Sequence, residues 1–195
     1  MHLVVGLGNP GERYARTRHN LAWAVLDELA ARHAAADAPG HATFHARRIA
    51  LAEHAVELLQ PLTFMNLSGA ALAAWRARHE LEPGGLLVVA DDVYLPFGTL
   101  RLRARGSSGG HRGLEGIEAE LGSRNYARLR IGVGAAESSA ALREHVLERF
   151  EAQEEAAVDE VLERAADAAE VWVRDGTAAA MNQFNRRVRK EDSTQ

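Results

Sequence analysis

The sequence predicts an α/β fold in a single domain with a largely parallel central sheet. Three observations carry this prediction. The chain has 195 residues, 47% of them hydrophobic, which suits one sizeable core. Short, apolar, β-branched runs alternate with amphipathic helical patterns along most of its length. Polar side chains follow directly after the strand-like runs, where ligands sit in an open α/β sheet.

Taken in order, residues 3–8 (LVVGLG) read as a strand rich in branched apolar side chains, and residues 20–34 (NLAWAVLDELAARHA) as an amphipathic helix. Residues 34–40 read as a loop. Residues 42–61 (ATFHARRIALAEHAVELLQP) read as extended, residues 68–81 as a helix, and residues 86–92 (LLVVADD) as a buried strand. Residues 99–105 (TLRLRAR) alternate apolar side chains with arginines and predict a strand with one wet face; a short helix over 113–121 and a strand at 128–134 follow. From about Ser138 to Val188 the pattern is helical throughout, with Val158, Val161, Leu162 and Ala165 at three-and-four spacing. The domain is expected to span 1–190, and 191–195 to be a disordered tail.

Composition excludes several classes. With no cysteine, disulfides, thiolate nucleophiles and Cys-ligated zinc are ruled out. The N-terminus lacks a basic leader and an apolar run of about 20 residues, so a cytoplasmic protein with no membrane span is expected. Net charge is -4, which argues mildly against a polyanionic ligand, yet the charge is uneven. Residues 101–130 carry seven arginines against three glutamates, whereas 137–170 carry 11 acids against three arginines. One side of the molecule could attract a polyanion.

Two motifs invite enzymatic readings that their surroundings disfavour. Gly6, Gly8 and Gly11 spell G-x-G-x-x-G after an apolar run, as in dinucleotide-binding loops. Pro10, however, removes one amide from that loop, and no acidic residue ends a second strand about 20 positions on. Gly106 to Gly110 spells G-x-S-x-G around Ser108, but the preceding strand is half wet and the candidate His19 and Asp91 come before the serine rather than after it. Among nine histidines, His41 and His45 stand four apart in an extended run, and no metal-ligand cluster is legible, so neither metal nor cofactor is expected.

Three segments should deliver polar groups to one rim: Asn9 after the first strand, Met65 and Asn66 after the run ending in VELLQP, and Asp91 with Asp92 after LLVVA. His19 follows the first of these. An imidazole beside a carboxylate can take a proton from water near neutral pH, and amides beside it can donate to an oxyanion.

The segments GLGNPGERYARTRHN, PLTFMNLSG, VVADDVYLPFG, GGHRGL and RLRIGVG occur in an order and spacing that resemble bacterial peptidyl-tRNA hydrolases over residues 3–185. The resemblance implies a mixed, mostly parallel sheet flanked by helices. It implies an esterase that frees peptide from tRNA, acting as a monomer on the acceptor stem and CCA end of peptidyl-tRNA. By this resemblance His19 matches the catalytic base and Asp91 its orienting carboxylate, with Asn9 and Asn66 as the positioning amides. Tyr14 and Met65 match residues lining the site, Gly109 and His111 the mobile loop at its mouth, and Arg101, Arg103 and Arg130 the tRNA-phosphate clamp. Two positions depart from the family pattern. Arg112 stands where an asparagine is common, and a phosphate contact is expected of it instead. Ala90-Asp91-Asp92 replaces His-Asp-Glu but keeps the carboxylate. A non-catalytic RNA-binding protein on the same scaffold is the alternative, which the retention of His19, Asp91 and Asn66 together disfavours.

Overall fold

The computed structural model describes residues 1–81, 84–134, 139–151 and 153–185. The expected tail at 191–195 lies outside them. Strands β1 (His2–Gly6), β2 (Ala36–Asp37), β3 (Phe44–Leu51), β4 (His54–Pro61), β5 (Leu86–Asp92), β6 (Leu100–Arg103) and β7 (Ala127–Gly132) form a seven-stranded sheet in the order β2-β3-β4-β1-β5-β7-β6. The four inner strands β4, β1, β5 and β7 are parallel, and the strands outside them pair antiparallel. The sheet is mixed with a parallel centre, as the alternation of patterns predicts.

Helices cover both faces. Side chains of α1 (Leu21–Arg32) and α5 (Glu155–Phe184) pack against Val4, Leu87, Val89 and Leu129, whereas those of α2 (Ser68–Arg76) and α3 (Arg112–Leu121) pack against Leu3, Val5, Leu86 and Val88. Neighbouring residues of β1 and β5 thus enter opposite cores, the two-residue alternation of a strand buried on both sides. Among the described residues, no helix is long and apolar enough to cross a membrane.

Two long runs fold differently from their sequence pattern. Residues 42–61 form a hairpin, β3 and β4, paired from Phe44 with Pro61 to Leu51 with His54. The two-residue turn is Ala52-Glu53, and Ala52 adopts φ 53 without the glycine or asparagine that marks such turns. The C-terminal helical run is interrupted. Helix α4 (Ser139–Leu147) ends before a non-helical connector in which Arg149 forms an antiparallel bridge with Thr17, and α5 kinks at Gly176, φ 82. Tertiary pairing with the first segment overrides helix propensity there. Ser138, Ala152 and residues 186–188 of that run lie outside the described residues. The predicted 34–40 loop also contributes Ala36 and Asp37 as a two-residue edge strand.

The glycines after β1 serve packing. A Cβ on Gly6 would lie 2.8 Å from the Ala22 carbonyl oxygen, and one on Gly8 would lie 2.5 Å from Nε1 of Trp23, so α1 sits where side chains would otherwise be. Helix α1 starts at Leu21, well after Gly11, and its N-terminus does not open within the glycine loop as dinucleotide binding requires. Gly8→Ala is expected to force Trp23 aside and lower stability by about 1–3 kcal/mol, read as a drop in thermal midpoint. An unchanged midpoint would contradict this account.

Candidate active site

The carboxyl ends of β1, β4 and β5 open on a cavity of about 500 Å³ that includes Asn9, Tyr14, His19, Met65, Asn66 and Asp91. The loop before α3 adds Gly109 and His111, the start of α3 adds Arg112, and β7 adds Arg130. The structure therefore gathers all but two of the predicted site residues into one place. The exceptions, Arg101 and Arg103, point outward from β6 and are exposed.

Asp91 is the centre of the site. It is 1% exposed at the end of a strand whose every residue is buried. Nδ1 of His19 lies 2.8 Å and 2.9 Å from its two oxygens, and Nε2 of His111 lies 3.0 Å from Oδ1. The proton positions follow from the surrounding bonds. The Leu114 main-chain N–H donates to Nδ1 of His111 at 3.3 Å, so Nδ1 is an acceptor and the His111 proton resides on Nε2, facing Asp91. His19 donates through Nδ1, which leaves its Nε2 lone pair as the available base.

Electrostatics agree with this arrangement. Burial alone would push the His19 imidazole down, but the charge of Asp91 and its hydrogen bond reverse that and hold it above the ordinary 6.5. Burial pushes the Asp91 carboxyl up; its electrostatic attraction to the His19 and His111 rings, with their hydrogen bonds, outweighs it and holds the group well below its usual 3.8.

Side-chain amides pin the backbone that presents His19. Oδ1 of Asn9 accepts the Met65 main-chain N–H at 2.8 Å, tying the loop after β1 to the segment after β4. With Oδ1 so engaged, the remaining end of the Asn9 amide is the donor NH₂. Asn20 accepts the Asn9 N–H and donates to its carbonyl, both at 2.9 Å, and so copies a strand pairing with its side chain. Sequence reasoning passed over Asn20; its position directly after His19 was the only signal. Asn66 is exposed at the rim, on the turn Met65–Leu67, and Met65 is buried beneath it.

Arg130 differs from expectation in its surroundings. Its guanidinium bonds Asp92 at 2.9 Å and the Ser107 carbonyl at 3.1 Å, and also the Ser108 carbonyl, so it fastens the loop before α3 to the end of β5. Asp92, noted in the sequence only as the neighbour of Asp91, also accepts the Tyr94 N–H at 2.8 Å. Ser108 is buried, and its hydroxyl accepts the Gly110 N–H at 3.3 Å, a turn-forming role. His111 is not a free loop residue: as N-cap of α3 it is fixed between Leu114 and Asp91. Arg112, the first residue of α3, is exposed on the rim.

Among the described residues, His19, Asp91 and His111 also offer three metal-ligating atoms within 4.8 Å of one another, a grouping the sequence did not reveal. Both imidazole nitrogens that face Asp91 do so through N–H groups, and a cation would have to displace those protons. The donor set as arranged suits proton transfer. Gly11, Glu12, Thr17 and Asn20 line a larger cavity, about 880 Å³, together with Trp23 and Phe150, and neither His19 nor Asp91 belongs to its lining.

A family model described as peptidyl-tRNA hydrolase matches residues 3–193. A peptidyl-tRNA hydrolase of Chloroflexus aggregans is 47% identical over 186 residues, covering 95% of this chain and 99% of the relative. One from Roseiflexus castenholzii is 48% identical over 186 residues, covering 95% and 87%. The crystal structure of peptidyl-tRNA hydrolase from Acinetobacter baumannii is similar with a TM-score of 0.88 at 32% identity, covering 95% of this chain and 94% of that one. On a match of this extent, with relatives alike over nearly their full lengths, the chain belongs to the peptidyl-tRNA hydrolase family.

Proposed function

We propose that this chain hydrolyses the ester joining a peptide, or an N-acylated amino acid, to the terminal ribose of tRNA, with His19 as general base. The observation that carries the reading is the His19–Asp91 pair, 2.8 Å apart in a cavity of about 500 Å³ whose lining includes Asn9 and Asn66. Asp91 keeps the His19 proton on Nδ1. Nε2 then takes a proton from a water, and the water oxygen attacks the ester carbonyl carbon. The resulting oxyanion is met by the NH₂ groups of Asn66 and Asn9. Collapse breaks the bond to the ribose oxygen, which receives the proton back from His19. His111 supports the step indirectly, by donating to Asp91 and keeping it ionised.

A polyanionic substrate also accounts for the charge asymmetry. Arg101 and Arg103, exposed on β6, are suited to tRNA phosphates, while Arg130 bears on the substrate from its bond network beside the cavity. Arg112, at a helix N-terminus on the rim, is suited to a phosphate near the CCA end. Every group invoked comes from one copy of the chain, so a monomer suffices, and the cytoplasm is the compartment in which translation releases such substrates. Neither metal nor cofactor enters the scheme.

His19→Ala should lower turnover of N-acylated aminoacyl-tRNA by about 100- to 10,000-fold while tRNA binding persists, and Asp91→Asn should act in the same direction but less. Binding without cleavage by the wild-type protein would favour the RNA-binding alternative instead. The base must be neutral to act, and its folded pKa lies above 6.5. The acid limb of kcat/KM should therefore have its midpoint on the alkaline side of that value, and Asp91→Asn should move the midpoint toward acid; a midpoint below 6.5 in the wild type would contradict the electrostatics. Joint replacement of Arg101 and Arg103 by alanine should reduce the log-log salt slope of tRNA binding by roughly 0.7 to 0.9 per lost phosphate contact. An unchanged slope would put the phosphate contacts elsewhere.

A further inference from the structure

Arg18 immediately precedes the base and is 6% exposed. Its Nη1 donates to the Arg149 carbonyl at 2.8 Å, and its Nη2 reaches both Glu154 carboxylate oxygens at 3.0 Å and 2.7 Å. The guanidinium lies 4.7 Å from the centroid of the Phe150 ring. The main chain takes part as well: the Arg18 N–H donates to the Glu148 carbonyl at 3.0 Å, and Thr17 bridges Arg149. Glu154 in turn accepts the Glu151 N–H at 2.8 Å, which folds the connector onto the guanidinium.

This connector joins α4 to α5, and α4 supplies Leu142, Val146 and Leu147 to the wall of the His19 cavity. Leu147, the last residue of α4, is 40% exposed and directly precedes the stapled segment. At its other side α4 is held by Nε2 of His145 on the Val133 carbonyl, 3.0 Å away. One residue therefore carries the catalytic base on its backbone and fixes the end of the facing apolar wall with its side chain. An ion pair of buried Arg18 with half-buried Glu154 is weak support for stability alone, because desolvation offsets much of its attraction, and apolar substitutes often do as well. What it provides here is geometry.

We propose that Arg18, through Glu154, is a positioning residue that sets the α4 wall against the His19 cavity, so that Leu142, Val146 and Leu147 seat the acyl part of the substrate. The proposal rests on the hydrolase reading above. It concerns preference among acyl groups, since Leu142, Val146 and Leu147 are apolar, whereas Arg101 and Arg103 lie on β6 outside this cavity.

The test compares two substrates on the same tRNA, one carrying a small N-acetyl glycyl group and one a large apolar N-acyl leucyl group. Wild type, Arg18→Met, Arg18→Lys and Glu154→Gln are assayed for kcat and KM. Arg18→Met and Glu154→Gln should raise KM for the large apolar substrate about tenfold, the range in which apolar pockets discriminate, with little change for the small one. Arg18→Lys should restore part of the preference, and Arg18→Met with Glu154→Gln together should be no worse than Arg18→Met alone. The pH midpoint of kcat/KM should stay in place in all of them, because the His19–Asp91 pair is untouched. Equal losses on both substrates, or an unchanged preference whatever the thermal midpoint, would overturn the proposal; if Arg18→Met does not fold, Glu154→Gln decides. Failure of the wild type to cleave either substrate would instead overturn the hydrolase reading.

Discussion

An ionised carboxylate that is 1% exposed survives in a protein interior only if hydrogen-bond donors surround it, and Asp91 has two imidazole N–H groups in that role. The rest of the site follows from this constraint. One imidazole, His111, is locked by the Leu114 N–H into the tautomer that donates, so it acts as a fixed dipole. The other, His19, lines the cavity and faces Asp91 through Nδ1, so its second nitrogen is the one left to act as a base. Two chemically identical side chains thus take different parts because their second ring nitrogens meet different neighbours.

The loops that present these groups are held by side chains. Asn9 and Asn20 bond main-chain groups of the segments they join, and Asp92 with Arg130 does the same on the opposite rim. Loops lie outside the sheet ladder, so their amides need such partners if they are to keep one conformation. Buried Arg18 extends the pattern to the connector between α4 and α5. Asn9, Arg130 and Arg18 link elements that lie far apart in sequence, which converts a set of strand ends into one cavity of defined shape.

Charge must be read in three dimensions for the same reason. Of the seven arginines in residues 101–130, Arg128 is buried on Glu118 and stacked over Tyr126, Arg124 also pairs with Glu118, and Arg130 pairs with Asp92. Arg101, Arg103, Arg105 and Arg112 are exposed, as is Arg124 despite its ion pair. Strand β6 is the sheet edge, where Asn185 bonds both the N–H and the carbonyl of Leu102. That cover limits edge pairing while the alternating arginines face outward.

By itself the sequence determined the α/β class, the parallel centre and the strand ends at which Asn9, Asn66 and Asp91 emerge. These rest on local periodicity and on a rule about where sheets end, and both are legible one residue at a time. It also singled out His19 by its place after the first strand. Tertiary structure alone decided that the glycines after β1 accommodate Ala22 and Trp23, that residues 42–61 turn back on themselves at Ala52, that His111 shares Asp91 with His19, and that Arg18 reaches Glu154. The physical reason is separation along the chain: His19 and Asp91 are 72 residues apart, and Arg18 and Glu154 are 136. Periodicity tells which face a side chain takes, but a hydrogen bond needs two atoms within about 3 Å, and that is settled only when the elements have packed.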